Sequence, residues 1–303
     1  MRWFENPDFN FLKGHKIAYY VSGILLVASI FGILTKGLQY GIDFKGGKEF
    51  VLEFEQPVDV IDIRSELSEP LDGTPVVKLF GSPEEVLIRT DNPKNISTVQ
   101  SLITNTMSEV YPDNPASVIK TDIVGARFAE DLKRGALNAI IFALIVIFIY
   151  ILIRFKDWTY SAGAVAALFH DVLIVVGVFT FLADIVPFSL QMDQSIIAAF
   201  LTIVGYSLND TVVVFDRIRE NSLLYKTMDH DKMVNRSLND TLSRTVITSV
   251  TTFFVVTILF IFGGEVLKGF SFALMLGVII GTYSSLFVAS SAVVEIQRYK
   301  EKA

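Results

Sequence analysis

Four polar residues interrupt a run otherwise suited to hydrocarbon. Ser207, Asn209, Asp210 and Thr211 fall between Ile196-Ile197-Ala198-Ala199-Phe200-Leu201 and Val212-Val213-Val214-Phe215. A carboxylate at lipid depth costs about 2.5–3.5 kcal/mol on insertion scales, which makes it a functional-site candidate, and the chemistry open to it is proton uptake and release. Desolvation there disfavours the charged carboxyl. Arg217 follows within two helical turns, which puts Asp210 roughly 10 Å inside the apolar layer. The competing reading is a carboxylate that caps a helix or reaches water. Four polar groups close together point instead to a wet or protein-facing surface.

Arg244 is the natural counter-ion. It stands at the entry to the next apolar run, Val246-Ile247-Thr248-Ser249-Val250-Thr251-Thr252-Phe253, whose hydroxyls continue a polar path up the same helix. Antiparallel neighbours joined by a short amphipathic loop would bring Arg244 to the depth of Asp210. Alone, Arg244 also reads as an anchor snorkelling to the headgroups. His170 and Asp171 lie within a third apolar run, after the small-residue stretch Ser161–Ala167. They serve equally well as a proton relay or as polar groups that bind helices together. The small residues, like the GxxxG match Gly277–Gly281, favour close helix packing.

The remaining composition narrows the class. The 303 residues are 51% hydrophobic, with a mean hydropathy of +0.50, which favours a membrane protein. There is no cysteine, so disulfides and thiolate chemistry are excluded. His15, His170 and His230 are too dispersed for a metal cluster. A net charge of −6 without a basic stripe argues against nucleic acid. No HExxH, GxSxG or P-loop motif occurs.

Six stretches can cross a hydrocarbon core, which takes about 20 helical residues each: Ile17–Thr35, Gly135–Ile153, Thr159–Ala183, Ser195–Phe215, Val246–Gly263 and Phe270–Val294. The first is too long for a signal h-region and lacks a clear cleavage site, so it reads as an uncleaved anchor. Arg2, Lys13 and Lys16, then Arg154 and Lys156, then Arg217, Arg219, Lys226, Lys232 and Arg236, then Arg298, Lys300 and Lys302 all fall on one side, the expected cytoplasm. The opposite turns carry Asp184, Asp193, Glu265 and Lys268. The organisation expected is a cytoplasmic N-terminus over 1–16, a first span over 17–35, a periplasmic domain over 36–134, five further spans over 135–294 and a cytoplasmic C-terminus over 295–303. Within the domain the pattern reads β-α-β-β-α-β, with strands at Gly47–Phe54, Pro75–Phe80, Glu85–Thr90 and Ala116–Val124 and helices at Val58–Leu67 and after Asn95. That is the order of a ferredoxin-like split βαβ unit. The fold class expected is a membrane α-helical bundle of six spans with a ferredoxin-like α+β extracytoplasmic domain between the first two.

The chain resembles the SecF members of the SecD/SecF family, RND-type membrane subunits of the bacterial Sec export machinery. Gly41-Ile42-Asp43-Phe44-Lys45-Gly46-Gly47 matches the GxDFxGG signature. Gly205 to Asn221 matches the fourth-span signature, Ser243-Arg244-Thr245 the start of span five, and Lys268–Phe272 with Gly281–Ser285 span six. Val124–Ala129 departs from the usual Val-Gly-Pro turn, which bears on the domain exit alone. The resemblance implies an inner-membrane, multi-pass subunit with both termini cytoplasmic. It implies a SecD partner with six pseudo-symmetric spans, the SecYEG channel, a translocating preprotein, and YajC as a further candidate. It implies no cofactor beyond coupling protons and no enzymatic reaction. The family's essential carboxylate and arginine fall on Asp210 and Arg244, with Ser207, Asn209, Thr248, Thr252, His170 and Asp171 around them. Gly41, Asp43, Gly46 and Gly47 would form either a hinge or a tight turn that needs glycine. Proton binding at Asp210 would loosen its pairing with Arg244 and shift spans four and five. The rival readings are a passive translocon scaffold, half of an RND-type small-molecule exporter, and an intramembrane hydrolase built on His170 and Asp171, for which no nucleophile or metal trio is present.

Overall fold

Asparagine and aspartate residues start most of the helices. Asn10, Asp157, Asp193 and Asp229 each accept a backbone N–H of the first turn that follows, satisfying a donor that has no partner inside its own helix. The protein is described from a computed structural model covering residues 7–183, 185–186 and 188–302, with the backbone alone for Glu265 and residues 300–302. Arg2 and Asp184 lie outside the described residues, as do the side chains of Glu265, Lys300 and Lys302. Six helices among the described residues are long and apolar enough to cross a membrane. They are α1 (Phe11–Lys36), α5 (Ala126–Phe155), α6 (Trp158–Leu182), α7 (Gln194–Leu224), α8 (His230–Phe262) and the run of α9 (Glu265–Ser284), a π-turn (Ser285–Ala289) and α10 (Ser290–Lys302).

These helices outrun the apolar stretches. Helix α8 begins at His230, so the expected amphipathic loop before Arg244 is helical instead. Helix α5 likewise starts at Ala126, ahead of the expected span. Hydropathy sees only the length that meets hydrocarbon, whereas the backbone ladder continues wherever side chains tolerate water.

The basic sets gather at one end of the bundle. Arg154 bonds Asp216 at 2.8 Å across α5 and α7, and Arg298 of α10 pairs with Asp231 of α8. The N-terminal strap is sewn to the same end: Phe9 N–H donates to Asn239 Oδ1 at 2.9 Å, and Asn239 Nδ2 donates back to Phe9 O at 2.8 Å. Phe155, Tyr160 and Phe215 pack there, ring against ring.

Small residues set the helix spacings. A Cβ on Gly177 of α6 would lie 2.1 Å from Ser29 Oγ of α1, and one on Gly277 of α9 would lie 2.3 Å from Ile203 of α7. Without a solvent-driven hydrophobic effect, such close approach is what membrane helices gain from glycine.

Between α1 and α5 stands the α+β domain. A one-turn helix, α2 (Ile42–Lys45), leads into β1 (Gly47–Phe54), followed by α3 (Val60–Ser68), β2 (Val76–Phe80), β3 (Ser82–Thr90), α4 (Ile96–Val110) and β4 (Ala116–Val124). The sheet order is β2-β3-β1-β4 with every neighbouring pair antiparallel, the split βαβ arrangement that the element order predicts. Strand pleating turns Phe50, Leu52 and Phe54 to one face, where Ile63 and Leu67 of α3 and Val99, Ile103 and Met107 of α4 close the core. The opposite face carries Glu49, Arg89 and Lys120. Strand β3 begins at Ser82, three residues before the expected Glu85.

Replacing Gly177 with Val should push α1 off α6 and destabilise the bundle by about 1–3 kcal/mol. The natural chain has no cysteine, so cysteines introduced at facing positions of α1 and α6 would report the separation as lost cross-linking.

Candidate functional site

Asp210 sits in the middle of α7 and is 3% exposed. Its Oδ2 is buried with no hydrogen-bond partner, as are the hydroxyls of Thr211 and Thr245. Arg244, Ser249 and Thr245 of α8 lie near it, and neither Asp210 Oδ2 nor the Thr245 hydroxyl has a hydrogen-bond partner. No ion pair joins Asp210 to Arg244, and Arg244 is exposed. The pairing expected of the charged carboxylate is therefore not formed in this conformation. Ser249 in turn bonds the hydroxyls of Thr282 at 2.6 Å and Tyr206 at 3.3 Å. Asn209 is exposed, and Thr248 and Thr252 are half-buried. The sequence places these residues on two neighbouring helices but does not tell which of them turn inward.

One helical turn before Asp210, Ser207 is 0% exposed and belongs to a different network. Its hydroxyl donates to Asp171 Oδ2 at 2.6 Å, and Ser284 of α9 donates to the same oxygen at 2.7 Å. Asp171 Oδ1 lies 2.8 Å from His170 Nδ1, and His170 Nε2 lies 2.9 Å from Ser22 Oγ of α1. Tyr283 completes the set, 3.0 Å from Ser22 Oγ. Polar side chains from α1, α6, α7 and α9 thus converge, and every polar atom of the pair is satisfied. Sequence reading missed Ser22, Tyr283 and Ser284. A serine within an apolar first span was the available signal.

The Gly41–Gly47 signature forms the corner between domain and bundle. Gly46 and Gly47 have φ of +75° and +125°, and a Cβ on them would sit 3.0 Å from Ala126 Cα and from Thr90 O respectively. Only glycine takes such a backbone in so little space, so this geometry supports the tight turn over the hinge. Gly41 N–H donates to Met192 O at 2.7 Å, and Met192 N–H donates to Gln39 O at 2.7 Å. Asp43 Oδ2 accepts the N–H of Gln194 at 2.9 Å, while Asp193 accepts that of Ile196 at 2.8 Å. Two carboxylates thus cap the start of α7, where unpaired N–H groups and the helix dipole favour negative charge. Arg89 ties the sheet to this corner through Glu49 at 2.7 Å and Tyr40 O at 3.2 Å. A polar cavity of about 290 Å³ lies between these groups.

Burial pushes the Asp193 carboxyl above its ordinary range. The Ser195 hydroxyl and the Ile196 N–H oppose that shift, and the nearby Asp43 charge adds to it. A carboxyl with a raised folded pKa holds its proton in the folded state where the unfolded chain has already lost it, so this group's contribution falls as pH rises through that interval. Asp193→Asn keeps an accepting oxygen for the cap and removes the buried charge. It should leave thermal stability unchanged or raised at neutral pH, whereas Asp43→Ala should lower it by about 1 kcal/mol, both read from unfolding in detergent.

The family model for the "Protein export membrane protein SecD/SecF, C-terminal" region matches residues 103–299, and the SecD/SecF GG motif matches residues 31–58. A protein translocase subunit SecF from Rhodothermus marinus is 55% identical over 297 residues, covering 98% of this chain and 96% of that protein. One from Haemophilus influenzae is 39% identical over 295 residues, covering 97% and 88%. The crystal structure of SecDF from Thermus thermophilus superposes with a TM-score of 0.85 at 35% identity, covering 98% of this chain. This chain spans 40% of that longer SecDF chain.

Proposed function

The chain belongs to the SecD/SecF family of protein export membrane proteins, and from that premise we propose that it acts in protein export as one half of a proton-coupled pair, with a SecD-type partner as the other. The observation that carries this reading is the buried, unpartnered Oδ2 of Asp210 facing a helix that bears Arg244. A carboxyl oxygen with no donor is a poor place for a negative charge. Ionisation therefore favours any movement that brings Arg244, or water, to it. Protonation favours the arrangement described above. That is a two-state element biased by one proton. The driving force is about 2.3 kcal/mol per charge per 100 mV, with about 1.4 kcal/mol per pH unit. It shifts a near-balanced equilibrium and does not unfold a domain.

The exposed amide of Asn209 and the mostly exposed apolar flank of α5 support a partner in the membrane. In the Thermus structure, SecD and SecF regions share one longer chain. In this reading the basic end of the bundle is cytoplasmic, both termini lie there, and the ferredoxin-like domain projects from the inner membrane toward the emerging preprotein. SecYEG and YajC enter as the partners expected of the family. A passive scaffold has one observation in its favour, namely that Ser207 is engaged in packing rather than lining a wet path.

In membrane vesicles holding the full chain and its partner, Asp210→Asn should abolish the part of export that depends on the proton gradient. A tenfold or greater loss is the scale expected for removal of a proton-transfer group, roughly. Undiminished gradient-dependent export by this variant would sink the proton-carrier reading.

A further inference from the structure

Hydrogen-bond directions around His170 can be followed from one fixed end. The Tyr283 hydroxyl donates to the Ala18 carbonyl oxygen at 2.7 Å. A carbonyl only accepts, so the single phenolic proton is committed there. Ser22 Oγ, 3.0 Å from the same phenol oxygen, must then be the donor of that bond. With its one proton so placed, Ser22 Oγ can only accept from His170 Nε2 at 2.9 Å, and Nε2 carries a hydrogen. This assigns the ring from its network, as histidine tautomers must be assigned.

The other ring nitrogen faces Asp171 Oδ1 at 2.8 Å. A neutral imidazole with hydrogen on Nε2 presents a bare acceptor at Nδ1, and an ionised carboxylate presents another. Two acceptors would meet at hydrogen-bonding distance. The hydroxyl of Ser207 donates to Oδ2, that of Ser284 donates to Oδ2 at 2.7 Å with the Gly281 carbonyl as a second, longer acceptor at 3.1 Å, and neither supplies anything to Oδ1. One further proton must therefore lie between Nδ1 and Oδ1.

We propose that His170 and Asp171 are a second proton-binding site of the bundle, holding one shared proton as a unit. Written as imidazolium–carboxylate or as imidazole–carboxylic acid, the pair is neutral overall. Removing the proton would leave a net negative charge on a side chain that is 0% exposed, a costly state without a counter-ion. Adding a second would set Nδ1–H against Oδ1–H and break the pair. The shared proton holds Asp171 in place, and Asp171 in turn positions Ser207, one turn ahead of Asp210. The inference stands whether or not Asp210 carries protons.

Nitrogen NMR on the full-length protein in lipid bilayers tests it, with His15 and His230 replaced by Gln so that one histidine reports. Nε2 should be protonated, and Nδ1 should show a hydrogen shared with Asp171. A bare Nε2, or an Nδ1 with no hydrogen between it and the carboxyl, would overturn the proposal. Asp171→Asn and Asp171→Leu give an independent reading. The Asn amide can donate to Nδ1 and accept from both serines, so it should retain the unfolding temperature that Leu lowers. An equal loss in both variants would mean that the negative charge, not the shared proton, holds the site, and would also overturn it. Neither measurement depends on the outcome for Asp210→Asn.

Discussion

The hydrogen bond from Ser207 to Asp171 sets the register of the bundle. Inside hydrocarbon a polar side chain must find its partner within the protein, and this bond, with that of Ser284 to the same oxygen, leaves α7 one stable rotation against α6 and α9. Gly281, whose added Cβ would meet Ser207 at 3.0 Å, keeps α9 close enough for the contact. Because α7 is so fixed, Asp210 can point only toward α8.

The two membrane carboxylates have opposite circumstances. Asp171 is fully bonded and buried among four helices. Asp210 is buried as deeply but has an oxygen with no donor. A satisfied polar cluster rigidifies its surroundings, while an unsatisfied one marks where a structure has another state available. The bundle therefore has a stiff half, α1–α6–α9, and a responsive seam between α7 and α8. The exposed Arg244 lies on α8 and forms no ion pair with Asp210.

Much of this was legible in the residues. β1 and β4 were read with the boundaries the structure shows, because alternation and turn residues are local signals. Asp210 announced itself by its cost in an apolar run. What was not legible depended on distance along the chain. Ser22, His170, Ser207 and Ser284 meet from four separate spans, and nothing local in each pattern indicates that it faces the others. The inward turn of Asp210 and the outward turn of Asn209 are likewise set by neighbouring helices, since adjacent positions on one helix differ by about 100°. The π-turn at Ser285–Ala289 inserts a wider loop of backbone that no propensity rule anticipates.

The bond from Gln194 to Asp43 gives the extramembrane domain a mechanical handle on the membrane. It grips α7 at its first residue, and Asp210 lies roughly 24 Å along the same rod at 1.5 Å per residue. A helix is stiff along its axis, so the position of its first residue at the domain corner and that of the carboxyl are geometrically linked. The domain corner and the buried carboxyl are thereby carried on one continuous helix.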